Sequence, residues 1–96
     1  MVKIYIKKDF EGDWITRQSG ERLRNMIVEA SKKNEIVELD FTGVVIASTS
    51  FFDEGFAKLV DEGWTFEDLK SKIKFENMNN RDWNVLIEIC KNRKMK

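Results

Sequence analysis

The order β-α-β-α-(α)-β-α, and with it an open, mostly parallel α/β sheet with helices packed against it, is legible in three features of this 96-residue chain. Short runs of alternating or branched apolar residues occur at 2–6, 36–41 and 73–76. Segments with apolar residues at helical spacing lie between and after them, and no two extended runs follow one another without such a segment. Strand–helix–strand repeats imply parallel strands joined by right-handed crossovers. The length suits one domain, 1–96, with neither an internal repeat nor a low-complexity linker.

The first run, VKIYI at 2–6, alternates branched and charged side chains and ends at Lys7-Lys8-Asp9, as a strand should. Phe10 to Trp14 surrounds the turn-forming Glu11-Gly12-Asp13, compatible either with a short second strand through Ile15 or with a crossing of the sheet edge. From Thr16 the period becomes 3.6: Gly20, Leu23, Met26 or Ile27, and Ala30 share a face. Thr16 is a suitable cap, and Ser31-Lys32-Lys33-Asn34 suits a helix end. Gly20 costs that helix about 1 kcal/mol relative to Ala, which a close approach to the sheet would explain.

IVELDF at 36–41, continued by Val44 to Ala47, is the most apolar extended region and predicts the central strand. Ser48-Thr49-Ser50 interrupts it. Phe52, Phe56, Leu59 and Val60 then recur at helical spacing up to Glu62-Gly63. Thr65 with Asp68 predicts a capped short helix through Lys72, Ile73 and Phe75 a short strand, and Asn79 with Asp82 a second capped helix. Trp83, Leu86, Ile87 and Cys90 form the buried stripe of that last helix.

Composition narrows the chemistry. Histidine is absent, which removes imidazole-based triads, histidine-ligated zinc and imidazole proton relays. The phosphate-binding, nucleophile-elbow and paired-cysteine motifs are missing too, so no cofactor and no metal is expected. Seventeen basic residues balance seventeen acidic ones, which argues against nucleic acid held mainly by phosphate attraction. One cysteine, no apolar run of signal-peptide length and no stretch of ~20 apolar residues lead to the expectation of a cytoplasmic protein without a membrane partner.

The segment richest in candidate chemistry is Ser48-Thr49-Ser50-Phe51-Phe52-Asp53-Glu54. It lies where the central strand meets a helix N-terminus, and orphan amides and the helix dipole favour an anion there. Ser50 suits an N-cap with Asp53 completing a capping box. A nucleophilic hydroxyl would need a lysine or carboxylate as its base. Asp53 and Glu54 are adjacent, so they point about 100° apart on a helix and do not form a facing acid/base pair. Cys90, on an apolar stripe, reads as a buried inert thiol. The basic end Lys91 to Lys96 suits either a helix C-terminus or a contact with nucleic acid or an acidic partner, and Trp64 beside Phe66 is a candidate partner hot spot.

Three stretches carry a family resemblance. Thr16-Arg17-Gln18-Ser19-Gly20-Glu21-Arg22-Leu23 resembles the S-R-S-x-A-x-R-L opening of the small bacterial STAS-like domains of unknown function. Val37-Glu38-Leu39-Asp40-Phe41-Thr42-Gly43-Val44 is similar to their V-x-L-D-F-x-G-V strand. Ser50-Phe51-Phe52-Asp53-Glu54-Gly55-Phe56 is similar to their S/A-F-A-D-E-x-F helix start. The resemblance implies a STAS-like fold and a partner of the histidine-kinase-like ATPase type. Through a more distant likeness to anti-sigma factor antagonists, it also aligns Ser48-Thr49-Ser50-Phe51 with their phosphorylated D-S-S-G segment, with Ser50 at the phosphoacceptor position. Ser48 stands in place of their Asp and Phe51 in place of their Gly. Asp53 and Glu54 would oppose a phosphate at Ser50.

The expectation is therefore a non-enzymatic, regulatory, protein-binding module with no catalytic residues. It docks through Ser48, Thr49, Ser50, Phe51, Asp53 and Glu54, with whichever of Phe51 and Phe52 is exposed as the anchor. The competing expectation is a small enzyme or ligand sensor using Asp40 or Asp53 as an acid/base at the C-terminal edge of the sheet.

Overall fold

The computed structural model describes residues 1–46 and 49–96. The expected order is present: β1 (Val2–Tyr5), α1 (Ile6–Asp9), α2 (Arg17–Lys32), β2 (Val37–Asp40), α3 (Thr49–Gly55), a 3-10 segment (Ala57–Glu62), α4 (Phe66–Lys72), β3 (Ile73–Glu76) and α5 (Asn80–Asn92). This is an α/β fold around a three-stranded parallel sheet of order β1-β2-β3.

Strand order decides which face is covered. The chain steps in one direction across the sheet, and right-handed crossovers then carry every connecting helix over the same face. Val2, Val37 and Ile73 form one inward row across the sheet, and Ile4, Leu39 and Phe75 the next. These rows meet Leu23 and Ile27 of α2, Phe51 and Phe52 of α3, and Leu86 and Cys90 of α5 in a single core. The opposite face carries the rows Lys3–Glu38–Lys74 and Tyr5–Asp40–Glu76. Lys74 lies 3.9 Å from Glu38 and Lys3 4.0 Å from Glu76, so ion pairs line this open face.

Helix ends follow the local chemistry. Thr16 accepts a hydrogen bond from the Ser19 amide and starts α2. Thr65 and Asp68 form a complete capping box on α4, and the Asn79 side chain accepts from the Asp82 amide to start α5. Gly63, at φ 82°, closes the 3-10 segment in the left-handed conformation that glycine adopts without strain.

Three expectations need correction. The first strand ends at Tyr5, not at Ile6, because Ile6–Asp9 makes one helical turn; of the two readings open for Phe10 to Ile15 the strand does not form, and Glu11 and Gly12 both take positive φ to reverse the chain. The central strand ends at Asp40, although burial still alternates through Val44, exposed Val45 and Ile46. Here the Asp40 carboxylate takes the Thr42 amide at 2.9 Å and Gly43 turns at φ 73°, while the paired strands end at Tyr5 and Glu76. Finally, Gly20 meets another helix, not the sheet. A Cβ there would lie 2.8 Å from both Glu54 Cβ and the Phe51 carbonyl oxygen, so the glycine lets α2 and α3 cross in backbone contact.

Candidate functional site

The expected docking residues divide into a small accessible tip and a buried body. Ser48 lies outside the described residues. Thr49 opens α3 and is exposed, and Ser50, the second residue of the helix, is half-buried. Because α3 begins at Thr49, Ser50 sits inside the helix and not at its cap. Asp53, expected to complete a capping box with it, is engaged elsewhere.

Phe51 and Phe52 are both fully buried, which removes the expected aromatic anchor. Phe51 meets Phe10 edge-on at 6.0 Å, and Phe52 packs against Phe56 at 6.0 Å. The cause is geometric. A seven-residue helix held between α2 and α5 has no outward face beyond its first turn, and Phe51, Phe52, Glu54 and Gly55 all point inward.

Asp53 and Glu54 do diverge as adjacent helical residues must. Asp53 is gripped by Arg93, Nε to Oδ1 at 2.5 Å and Nη2 to Oδ2 at 2.7 Å, and Arg17 Nη1 reaches it at 3.1 Å. Glu54 is buried and accepts from Lys58 at 2.6 Å, from Arg24 at 3.1 Å and from Arg17 at 3.1 Å. Charge-assisted hydrogen bonds of this kind favour the ionised form. The Arg93 hydrogen bonds hold the Asp53 carboxyl below the usual carboxylate range, and Lys58, then Arg24 and Arg17, do the same for Glu54. Both acids thus fasten α3 to α2 and to the end of α5.

This argues against the acid/base expectation, which needs a carboxyl whose pKa lies near neutrality. Asp53 is held charged. Asp40 is also pushed down, first by the Thr42 hydroxyl at 2.6 Å, then by the Thr42 amide and by Asn77 at 3.1 Å. The Glu76 carboxyl moves the other way because it is crowded by Glu38 on the open sheet face.

The remaining candidates are structural. Cys90 is fully buried, and burial, aided by Asp53, pushes its thiol up to about 12. Trp64 is buried and so is not the partner hot spot expected of it; the Lys72 ammonium lies 4.8 Å from its ring centre. Much of the basic end is also committed to the fold: Arg93 holds Asp53, Met95 is buried and the Lys96 carbonyl accepts from the Phe66 amide. Among the described residues, no helix is long and apolar enough to cross a membrane and no acidic or cysteine cluster suits a metal ion.

Sequence reasoning missed the cations around α3. Lys58 follows Glu54 by one helical turn and was legible. Arg17, Arg24 and Arg93 are 30 to 40 residues away from their partners, and no local pattern announces them.

The family model of the STAS-like domain of unknown function (DUF4325) matches residues 19–83. Those residues include α2 from Ser19 onward, β2, all of α3 and the start of α5. No curated protein matches the chain significantly, and neither does any solved structure.

Proposed function

The chain belongs to the STAS-like domain family of unknown function, and from that premise we propose that it is a non-enzymatic regulatory module that binds a protein partner at the start of α3. The partner class implied by the family resemblance is a cytoplasmic histidine-kinase-like ATPase. The observation that carries the reading is the contrast within α3. Thr49 is exposed and Ser50 half-buried at its tip, while every later side chain is packed or ion-paired. A clamped helix presents its first hydroxyls in one geometry, which lowers the ordering cost of binding.

Ser50 also retains its proposed role as phosphoacceptor. Asp53 and Glu54 would repel a phosphate, but Arg17, Arg24, Lys58 and Arg93 already surround them, which offsets much of that repulsion. In such a step the Ser50 oxygen attacks the γ-phosphorus of ATP held by the partner, the bond to the β-phosphate oxygen breaks, ADP leaves and the hydroxyl proton passes to solvent.

The test is titration calorimetry against a histidine-kinase-like ATPase of the same organism, one found in an adjacent reading frame being the first choice. Thr49→Asp and Ser50→Asp should each weaken binding about tenfold or more, through loss of hydroxyl contacts and added charge. Unchanged affinity in both variants overturns this surface. Mass spectrometry after incubation with ATP reads modification separately, and an unmodified Ser50 removes the phosphoacceptor role without touching the docking reading.

A further inference from the structure

The C-terminal edge of the sheet holds a second surface that the α3 tip does not explain. A cleft of about 590 Å³ is lined by Tyr5, Lys7, Lys8, Asp40 and Thr42. It lies at the carboxyl ends of β1 and β2, where Tyr5 and Asp40 close their paired strands.

Several contacts hold this cleft in shape. The Tyr5 amide donates to the Asp9 carboxylate at 2.8 Å, which fixes the turn from β1 into α1. Asp40 Oδ1 accepts from the Thr42 amide, the Thr42 hydroxyl and Asn77, which fixes the opposite wall. The Lys7 side chain lies against Gly43, within 3.4 Å of where a Cβ would stand. Phe10, immediately after α1, packs edge-on against Phe51, so this wall is joined to α3.

Charge and exposure in the cleft are specific. Lys7 and Lys8 are exposed and make no ion pair among the described residues. Tyr5 is 44% exposed, with the Lys3 ammonium 5.0 Å from its ring centre as a further cation beside the cleft. The one carboxylate that lines the cleft, Asp40, is already engaged by three hydrogen bonds from Thr42 and Asn77. Two free ammonium groups beside an accessible aromatic ring complement a segment that alternates acidic and large apolar side chains.

We propose that this cleft binds an acidic, apolar-containing peptide segment of the protein partner, its carboxylates on Lys7 and Lys8 and an apolar side chain against Tyr5. The inference rests on the reading of the chain as a protein-binding module and names the chemistry of what it binds. A continuous phosphate backbone fits less well, because Lys7 and Lys8, even with Lys3, are a small cluster in a chain that carries no net charge, with no basic track among the described residues leading away from the cleft floor at Asp40 and Thr42.

The test needs no ATPase, so its outcome is independent of the docking experiment at α3. A short peptide of alternating glutamate and leucine is titrated into the isotopically labelled protein, with backbone amide shifts as the readout. Shifts should cluster at Tyr5, Lys7, Lys8 and Thr42 and fade as salt is raised. The double variant Lys7→Glu/Lys8→Glu should weaken binding about tenfold or more, and Lys7→Gln/Lys8→Gln by less, with both folds verified by circular dichroism. Absence of shifts at the cleft overturns the proposal, as does equal binding of a lysine–leucine peptide. Tighter binding of a single-stranded oligonucleotide at the same residues overturns it in favour of nucleic acid.

Discussion

Arg93 grips Asp53 with two parallel hydrogen bonds across 40 residues of sequence, tying the end of the last helix to the middle of α3. Arg17 reaches the same carboxylate from the first turn of α2, so one side chain joins three helices. The two arginines are not equivalent. Arg93 is 34% exposed and bidentate, whereas Arg17 is 55% exposed and reaches both Asp53 and Glu54 through a single nitrogen.

Replacing Arg93 should therefore cost more than replacing Arg17. Hydrogen bonds to charged groups contribute about 1.5–3 kcal/mol, and partial exposure brings Arg93→Ala to about 1–2 kcal/mol. Arg17→Ala should cost less than about 1 kcal/mol. Arg93→Lys keeps the charge but loses the fork, and should resemble the alanine variant more than the wild type. Urea unfolding midpoints give the ranking, and the reverse order would falsify the assignment.

Gly20→Ala tests the crossing of α2 and α3. In an exposed helix the change would stabilise by about 1 kcal/mol. Here the new Cβ would meet the Phe51 carbonyl oxygen at 2.8 Å, and backbone does not move aside cheaply. We expect a net loss of about 1–3 kcal/mol. A raised unfolding midpoint would mean that the helices are further apart than described.

Depressed carboxyls set the acid limb of the pH dependence, Asp53 and Glu54 together with the more exposed Asp13, Asp40 and Asp68. The native state holds protons on Asp53 and Glu54 less readily than the unfolded chain does. Their contribution is then fully present above the unfolded carboxyl values, about pH 4 to 5, and is lost as pH falls through the lower native ones. Glu76 acts in the opposite sense: its raised native value means that its contribution is lost as pH rises. Thermal unfolding followed from pH 7 to pH 3 should show falling stability at the acid end, and Asp53→Asn should flatten that limb.

Cys90 should resist modification until the chain unfolds. With its thiol near 12, only about one molecule in ten thousand carries thiolate at pH 8, and the sulfur is fully buried besides. A thiol-specific chromogenic disulfide should react very slowly with the native protein and rapidly in urea, where the pKa returns to about 8.5. Rapid native labelling would place Cys90 at the surface.

Much of the architecture was written locally. Thr16, Thr65 and Asn79 begin their helices with the side-chain bonds their positions suggested, and the alternation at Val2–Tyr5 and Ile73–Glu76 became strands. Such signals are local because a cap or a pleat involves residues within about four positions of one another. Val44 to Ile46 misled for the same reason. Its alternation reports burial on one side, whereas a strand also needs a neighbour to pair with, and the sheet had already ended.

The candidate sites depended on contacts across the chain. Ser50, Phe51, Asp53 and Glu54 were legible as a helix start, but their inward or outward direction followed from packing α3 between α2 and α5, with arginines brought from 30 to 40 residues away. The cleft at Tyr5, Lys7, Lys8, Asp40 and Thr42 likewise arises from pairing β1 beside β2. Local propensity and periodicity thus determined which elements form and in what order, because those choices are made within a few residues. Exposure, charge pairing and cleft geometry were decided by tertiary packing, because each depends on which distant surface comes to lie against the residue.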